Sequence, residues 1–140
     1  MNAIEEARRL LRRAKADLTA LRNMSDTGIF DEGIFGFHAQ QAVEKALKAW
    51  LAAKDQTYPL RHDLGELFDA LARAGEEARE FQALSLLTPY AVQFRYDEIS
   101  IDDERLDRPK TVGEVGALVE WVETRLDSLA HADSSNQHDG

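Results

Sequence analysis

The sequence predicts an all-α fold: an antiparallel up-and-down bundle of four long helices plus a short one. Three observations carry that expectation. Only three prolines and eight glycines interrupt 140 residues rich in Ala, Leu, Glu and Arg, the composition of a helical domain. Ile4, Ala7, Leu11, Ala14, Leu18 and Leu21 alternate steps of three and four, the seam of a helix packed nearly antiparallel to its neighbours. Asp63 with Glu66, and Thr111 with Glu114, form capping-box patterns just before apolar runs.

The first helix is expected over about residues 3–24. A connection over 25–36 follows, holding Gly28, Gly33 and Gly36; Phe30, Ile34 and Phe35 within it either tuck under the bundle or begin the second helix early. The second helix continues to about Lys54 and closes before Pro59, because the residue preceding a proline avoids helical geometry. Asp63 opens the third, whose buried stripe is Leu64, Leu67, Phe68 and Leu71, and Gly75 ends it. A fourth stretch runs from about Glu76 to Tyr96 with Phe81, Leu84, Leu87, Ala91 and Phe94 inward. Pro89 divides it, either as a break capped by Thr88 or as a kink. Residues 97–110 read as an exposed acidic loop, and the last helix, capped by Thr111, buries Val115, Leu118, Val119, Val122, Leu126 and Leu129. Residues 1–130 thus form one domain, and 131–140, with nothing to bury, a disordered tail.

Composition removes several chemistries. The chain has no cysteine, so disulfides, thiolate metal sites and a Cys nucleophile are excluded. No His-x-x-x-His or Glu-x-x-His pair on one helix points to a metal, and no cofactor is expected. No Gly-rich loop follows a strand, and no Ser is flanked by glycines as a nucleophile would be. The first residues start acidic and lack the apolar core of a secretory signal, and no apolar run nears the roughly 20 residues a membrane span needs, so no secretory leader and a cytoplasmic, soluble protein with no membrane partner are expected. A net charge of -9 disfavours broad binding to duplex nucleic acid. The charge is uneven: residues 1–24 hold six basic against three acidic side chains, and residues 97–108 six acidic against two basic. The basic cluster Arg8, Arg9, Arg12 and Arg13 is either a solvated helix face or a contact for phosphate or an acidic partner.

The run from Phe37 to Leu51 is the most informative in the chain. His38, Gln41, Lys45 and Lys48 fall at steps of three, four and three, on one helical stripe. Beside them Phe35, Ala39, Ala42, Ala46, Ala49 and Ala53 make a small-residue ridge that lets another helix approach closely. The polar row fits an anion or nucleotide site, with lysine charge for phosphate and an amide for a base. Ordinary surface pairs with Glu44, and a satisfied boundary histidine, are the other reading. Trp50 and Trp121 lie on apolar stripes and are expected in the core.

This run, together with His62-Asp63-Leu64 and the Arg95-Tyr96 pair in that order and spacing, resembles the prokaryotic branch of the HEPN ("higher eukaryotes and prokaryotes nucleotide-binding") domain over nearly the whole chain. The resemblance implies a four- or five-helix bundle, commonly a homodimer, that in some members binds nucleotides and in many bacterial ones is the toxin-antitoxin partner of a minimal nucleotidyltransferase. It places the nucleotide-binding candidates at His38, Gln41, Lys45, Lys48, His62 and Arg95. His62 can equally serve to start its helix, and Arg95 to pair with Glu44. Other members are metal-independent ribonucleases with an Arg, four to six residues and a His near the start of the final helix. Here that helix begins Thr111-Val112-Gly113-Glu114-Val115 without a His, and the only comparable pair is Arg125 and His131 at the C-terminal end. A non-catalytic nucleotide-binding or interaction module is therefore the expectation. A ribonuclease toxin acting on RNA, with His62 and Arg95 in place of the usual pair, is the alternative. A two-fold dimer is expected besides, because the apolar stripes of the first two helices exceed what one bundle covers.

Overall fold

Asn2 opens the first helix, α1 (Ala3–Arg22): its Oδ1 accepts the Glu5 N–H at 2.8 Å, and Glu5 and Glu6 occupy the first turn, where carboxylates suit the helix dipole. The computed structural model describes residues 2–93 and 105–138. α1 buries Ala7, Leu10, Leu11, Ala14, Leu18 and Leu21, the expected seam with Leu10 added and Ile4 only partly buried. Asp31 caps α2 (Glu32–Ala53) by accepting the Ile34 N–H at 2.8 Å. Ile34 and Phe35 therefore belong to the first turn of α2.

α2 is the axis of the molecule and touches every other helical element. Its ridge of Phe35, Ala39, Ala42, Ala46, Ala49 and Ala53 is buried, as are Val43, Leu47 and Trp50. Ridge residues without long side chains let α1 lie close along it. Much of the apolar stripe expected of α1 and α2 is thus covered within the chain itself, with Ile4 and Phe37 only partly buried. The large apolar side chains left exposed are Ile29, Ile34 in the first turn of α2, Leu60 at 89 % and Leu86 at 79 %.

α2 and α3 (Leu64–Arg73) end in the same way. The N–H of Gln56 reaches Leu51 O and that of Asp55 reaches Ala52 O; after α3, Glu76 reaches Leu71 O and Gly75 reaches Ala72 O. Both are Schellman closures with one left-handed residue. That residue is Gly75 at φ 86 in one case and Asp55 at φ 57 in the other. α2 is therefore closed by the turn at Asp55, ahead of Pro59.

The expected fourth long helix is replaced by a 3₁₀ helix (Arg79–Leu87) and a short α4 (Tyr90–Gln93). Phe81, Leu84, Leu87 and Tyr90 are all buried and stand at a constant step of three. In an α-helix each such step falls about 60° short of a full turn, whereas the 3₁₀ helix keeps Phe81, Leu84 and Leu87 on one face. Pro89 makes a break. Thr88 does not cap the segment after it; its Oγ1 accepts the Leu64 N–H at 3.1 Å and so helps cap α3, beside Asp63. The Tyr90 ring lies where a Cβ on Gly36 would be, so α4 sits directly on the α2 backbone. Phe94, Arg95, Tyr96 and most of the acidic stretch fall outside the described residues.

The last helix, α5 (Arg108–His138), begins before Thr111. Asp107 is its cap, accepting the Lys110 N–H at 3.1 Å. Pro109 lies in the first turn, where a missing N–H loses no bond. Arg108 is buried, donates to Met24 O and Phe30 O, both at 2.7 Å, and lies over the Phe35 ring. It locks the start of α5 onto the α1–α2 connection. Val115, Leu118, Val119, Val122 and Leu126 are buried as expected, and Leu129 is partly so. The helix continues through His138, past Ala130, where a disordered tail is expected. No Gly or Pro stands between Gly116 and Gly140 to stop it. The all-helical bundle holds among the described residues, with three long helices rather than four.

The two Schellman turns give a paired prediction. Asp55→Gly relieves a left-handed side-chain conformation and is expected to stabilise by about 0.5–1 kcal/mol, while Gly75→Ala destabilises by about 1–2 kcal/mol. Urea midpoints moving the same way in both variants would contradict the assignment.

Candidate functional site

The polar row of α2 faces α1 on one side and the α2–α3 connection on the other. On the α1 side, Asp17 takes two partners: His38 Nδ1 lies 3.1 Å from Oδ1, and Lys45 Nζ donates to Oδ2 at 2.8 Å. On the other side the acceptor is Glu44, only 5 % exposed. Gln40 Nε2 donates to its Oε1 at 2.9 Å, His62 Nδ1 lies 2.7 Å from the same oxygen, and Lys48 Nζ donates to Oε2 at 3.1 Å.

Gln40, fully buried, is the organiser of this second group. The same Nε2 also donates to His62 O at 3.0 Å, and its Oε1 accepts from Gln41 Nε2 at 2.8 Å. His62 is thus held twice, by its backbone on Gln40 and by its ring on Glu44. With Nδ1 on the carboxylate, the ring is fixed in orientation while its side chain remains 55 % exposed. Lys48 lies over the Tyr58 ring at 5.6 Å, and burial pushes the Tyr58 hydroxyl up from its ordinary pKa, with the Glu6 charge adding to the effect.

The five predicted residues His38, Gln41, Lys45, Lys48 and His62 are therefore brought into two linked groups along α2. Arg95 lies outside the described residues. Asp17, Gln40 and Glu44 were not among the predicted site residues. Asp17 carries no local signal; that of Gln40 and Glu44 is spacing, since Gln40, Glu44 and Lys48 stand four apart on an Ala-rich helix. Neither lysine is a bare cation. Each is seated on a carboxylate, which sets its position and offsets its charge.

Two chemistries are open to such an arrangement. Ammonium and amide donors already held in place present their remaining N–H groups to an anion at little conformational cost. A buried carboxylate on an imidazole Nδ1, with the ring reaching solvent, is also how an acid–base histidine is oriented. Arg125 takes no part: it stacks on Trp121 at 4.2 Å and pairs with Glu76, and His131 is exposed. Trp50 is in the core as expected, while Trp121 is only partly buried. Among the described residues no group of three or more His, Asp or Glu is gathered as a metal site requires. None of the described helices is long and apolar enough to cross a membrane.

A central helix sheathed by its neighbours, with one ion-paired polar row at its margin, defines the class: an all-α helical bundle. The family model of the HEPN domain matches residues 7–125, and the chain belongs to that family. Comparison with curated proteins and with solved structures finds no match.

Burial pushes the Glu44 carboxyl up, but hydrogen bonds from Gln40, His62 and Lys48, and the Lys48 charge, outweigh it and hold the pKa below its ordinary 4.5. A carboxyl depressed on folding adds stability above its unfolded pKa, and that stability is lost as pH falls through the lower folded value. Urea midpoints are expected to drop between about pH 5 and about pH 3, with part of that slope removed in Glu44→Gln. An unchanged slope in the variant would show that Glu44 is not held this way.

Proposed function

We propose that this HEPN bundle is a non-catalytic nucleotide-binding module whose ligand lies along the α2 row, its phosphates on Lys45 and Lys48 and its base beside Gln41 and the histidines. The observation that supports it is the double seating of the row on Asp17 and Glu44, which fixes four donor side chains on one face. The lysine charges are offset, so the affinity is modest and rests on pre-set donors rather than on a strong positive field. The same module is proposed to pair with a second copy and with a minimal nucleotidyltransferase in a toxin-antitoxin-like system. Both contacts use surfaces other than the α2 ridge, which is already covered.

One feature favours a second reading, a metal-independent ribonuclease: the Glu44–His62 pair, with His62 oriented and half exposed. Against it stand the absence, from the start of the last helix, of an Arg followed after four to six residues by a His, and the offset charges of the row, which leave little to stabilise a pentacoordinate phosphate.

Isothermal titration with ATP, GTP and AMP distinguishes these. A Kd below about 1 mM for at least one of them is expected, weakened about tenfold in Lys45→Met, Lys48→Met. Absence of binding, or binding that ignores the double change, removes the ligand assignment. Total RNA incubated without metal is expected to stay intact; cleavage that disappears in His62→Ala would replace the first reading with the second.

A further inference from the structure

On the opposite flank from the polar row, α5, the 3₁₀ helix and the end of α2 line an open trough of about 800 Å³. Trp50, Phe81 and Trp121 form its aromatic wall, in edge-to-face contact at 6.5 Å between the two tryptophans and 5.7 Å between Phe81 and Trp121. Trp50 Nε1 is buried there without an acceptor among the described residues. Three carboxylates, Glu76, Glu80 and Glu120, stand on the rim.

Lys54 and Arg125 are also at the trough, but both pair with the same carboxylate, Glu76, at 3.3 and 3.9 Å. Glu80 and Glu120 are exposed and have no ion-pair partner among the described residues. Arg125 shows how the wall receives a guanidinium: stacked flat on an indole with a carboxylate in reach. The free carboxylates repel phosphate, so a nucleotide or RNA is a poor fit. An extended segment that brings a cation and apolar side chains together fits both the rim and the wall.

We propose that this trough binds an arginine-bearing, otherwise apolar peptide segment of a partner protein. The guanidinium pairs with Glu80 and Glu120, and aliphatic side chains lie against Trp121, the one ring of the wall that is only partly buried. A volume near 800 Å³ is within the range of sites that enclose a ligand of several side chains. The surface is separate from the α2 row, so both can be occupied at once.

The chain's two tryptophans both line the trough, so its entire indole emission reports on occupancy. The probe is a short amidated peptide of alternating Arg and Leu, with a Glu-for-Arg counterpart. Saturable quenching or a spectral shift is expected with the first peptide and none with the second. Glu80→Gln, Glu120→Gln is expected to weaken binding about tenfold or more. Asp69→Asn, Glu77→Gln removes the same charge from exposed positions outside the trough and is expected to change it less than about twofold. Far-ultraviolet circular dichroism establishes that both variants fold. Equal weakening in the two variants means general attraction to an acidic protein and overturns the proposal, as does the absence of any spectral response.

Discussion

Everything in this bundle is arranged around a helix that has almost no free side. α2 meets α1, α3, the 3₁₀ helix, α4 and α5, so a polar group on it has to be satisfied by protein rather than by water. Glu44 is the severest case. An unpaired carboxylate at that depth would cost several kcal/mol, and it is offset by three donors from three directions: Gln40 a turn before, Lys48 a turn after and His62 from the following connection. Satisfying that carboxylate draws the α2–α3 connection onto α2. The position of His62, and of the Asp63 cap one residue later, follows from it.

Two flanks of opposite character result. On one, both lysines of the α2 row are matched by carboxylates, so its polarity is positional rather than electrostatic. On the other, aromatic rings meet carboxylates that are left over. The net charge of -9 is therefore not a uniform skin. Part of the basic face of α1 is spent holding α5, through Arg8 on Asp127 and Lys15 on Glu123. These exposed pairs contribute little stability, about 0–1 kcal/mol each, and orient more than they bind.

Much of this was legible in the sequence. The α1 seam, the alanine ridge, the Asp63 cap and the Gly75 stop are local patterns with one structural meaning, and each appears in place. The row of His38, Gln41, Lys45 and Lys48 was legible too, since one helix fixes their common face. What was not legible depends on partners distant in sequence or on a different period. Asp17 lies 28 residues from the lysine it holds, and no local spacing announces that. The step of three from Phe81 to Leu87 was visible, but over so short a run it also fits an α-helical stripe; only its strictness marks a 3₁₀ helix. At α5 two caps competed, and Asp107 prevailed over Thr111 because Arg108 is anchored to Met24 and Phe30. Asp55 in a left-handed turn was hidden because glycine is the residue usually found there.

The central claim is that Glu44 and His62 are energetically joined and that this pair organises the candidate site. A double-mutant cycle with Glu44→Gln, His62→Ala and the combined variant, read by urea denaturation near neutral pH, tests it most directly. A coupling of about 1 kcal/mol or more is predicted, as for a hydrogen bond to a buried charged group. Effects that add to within about 0.3–0.5 kcal/mol would mean that the two side chains do not hold each other, and the site would lose its organising contact.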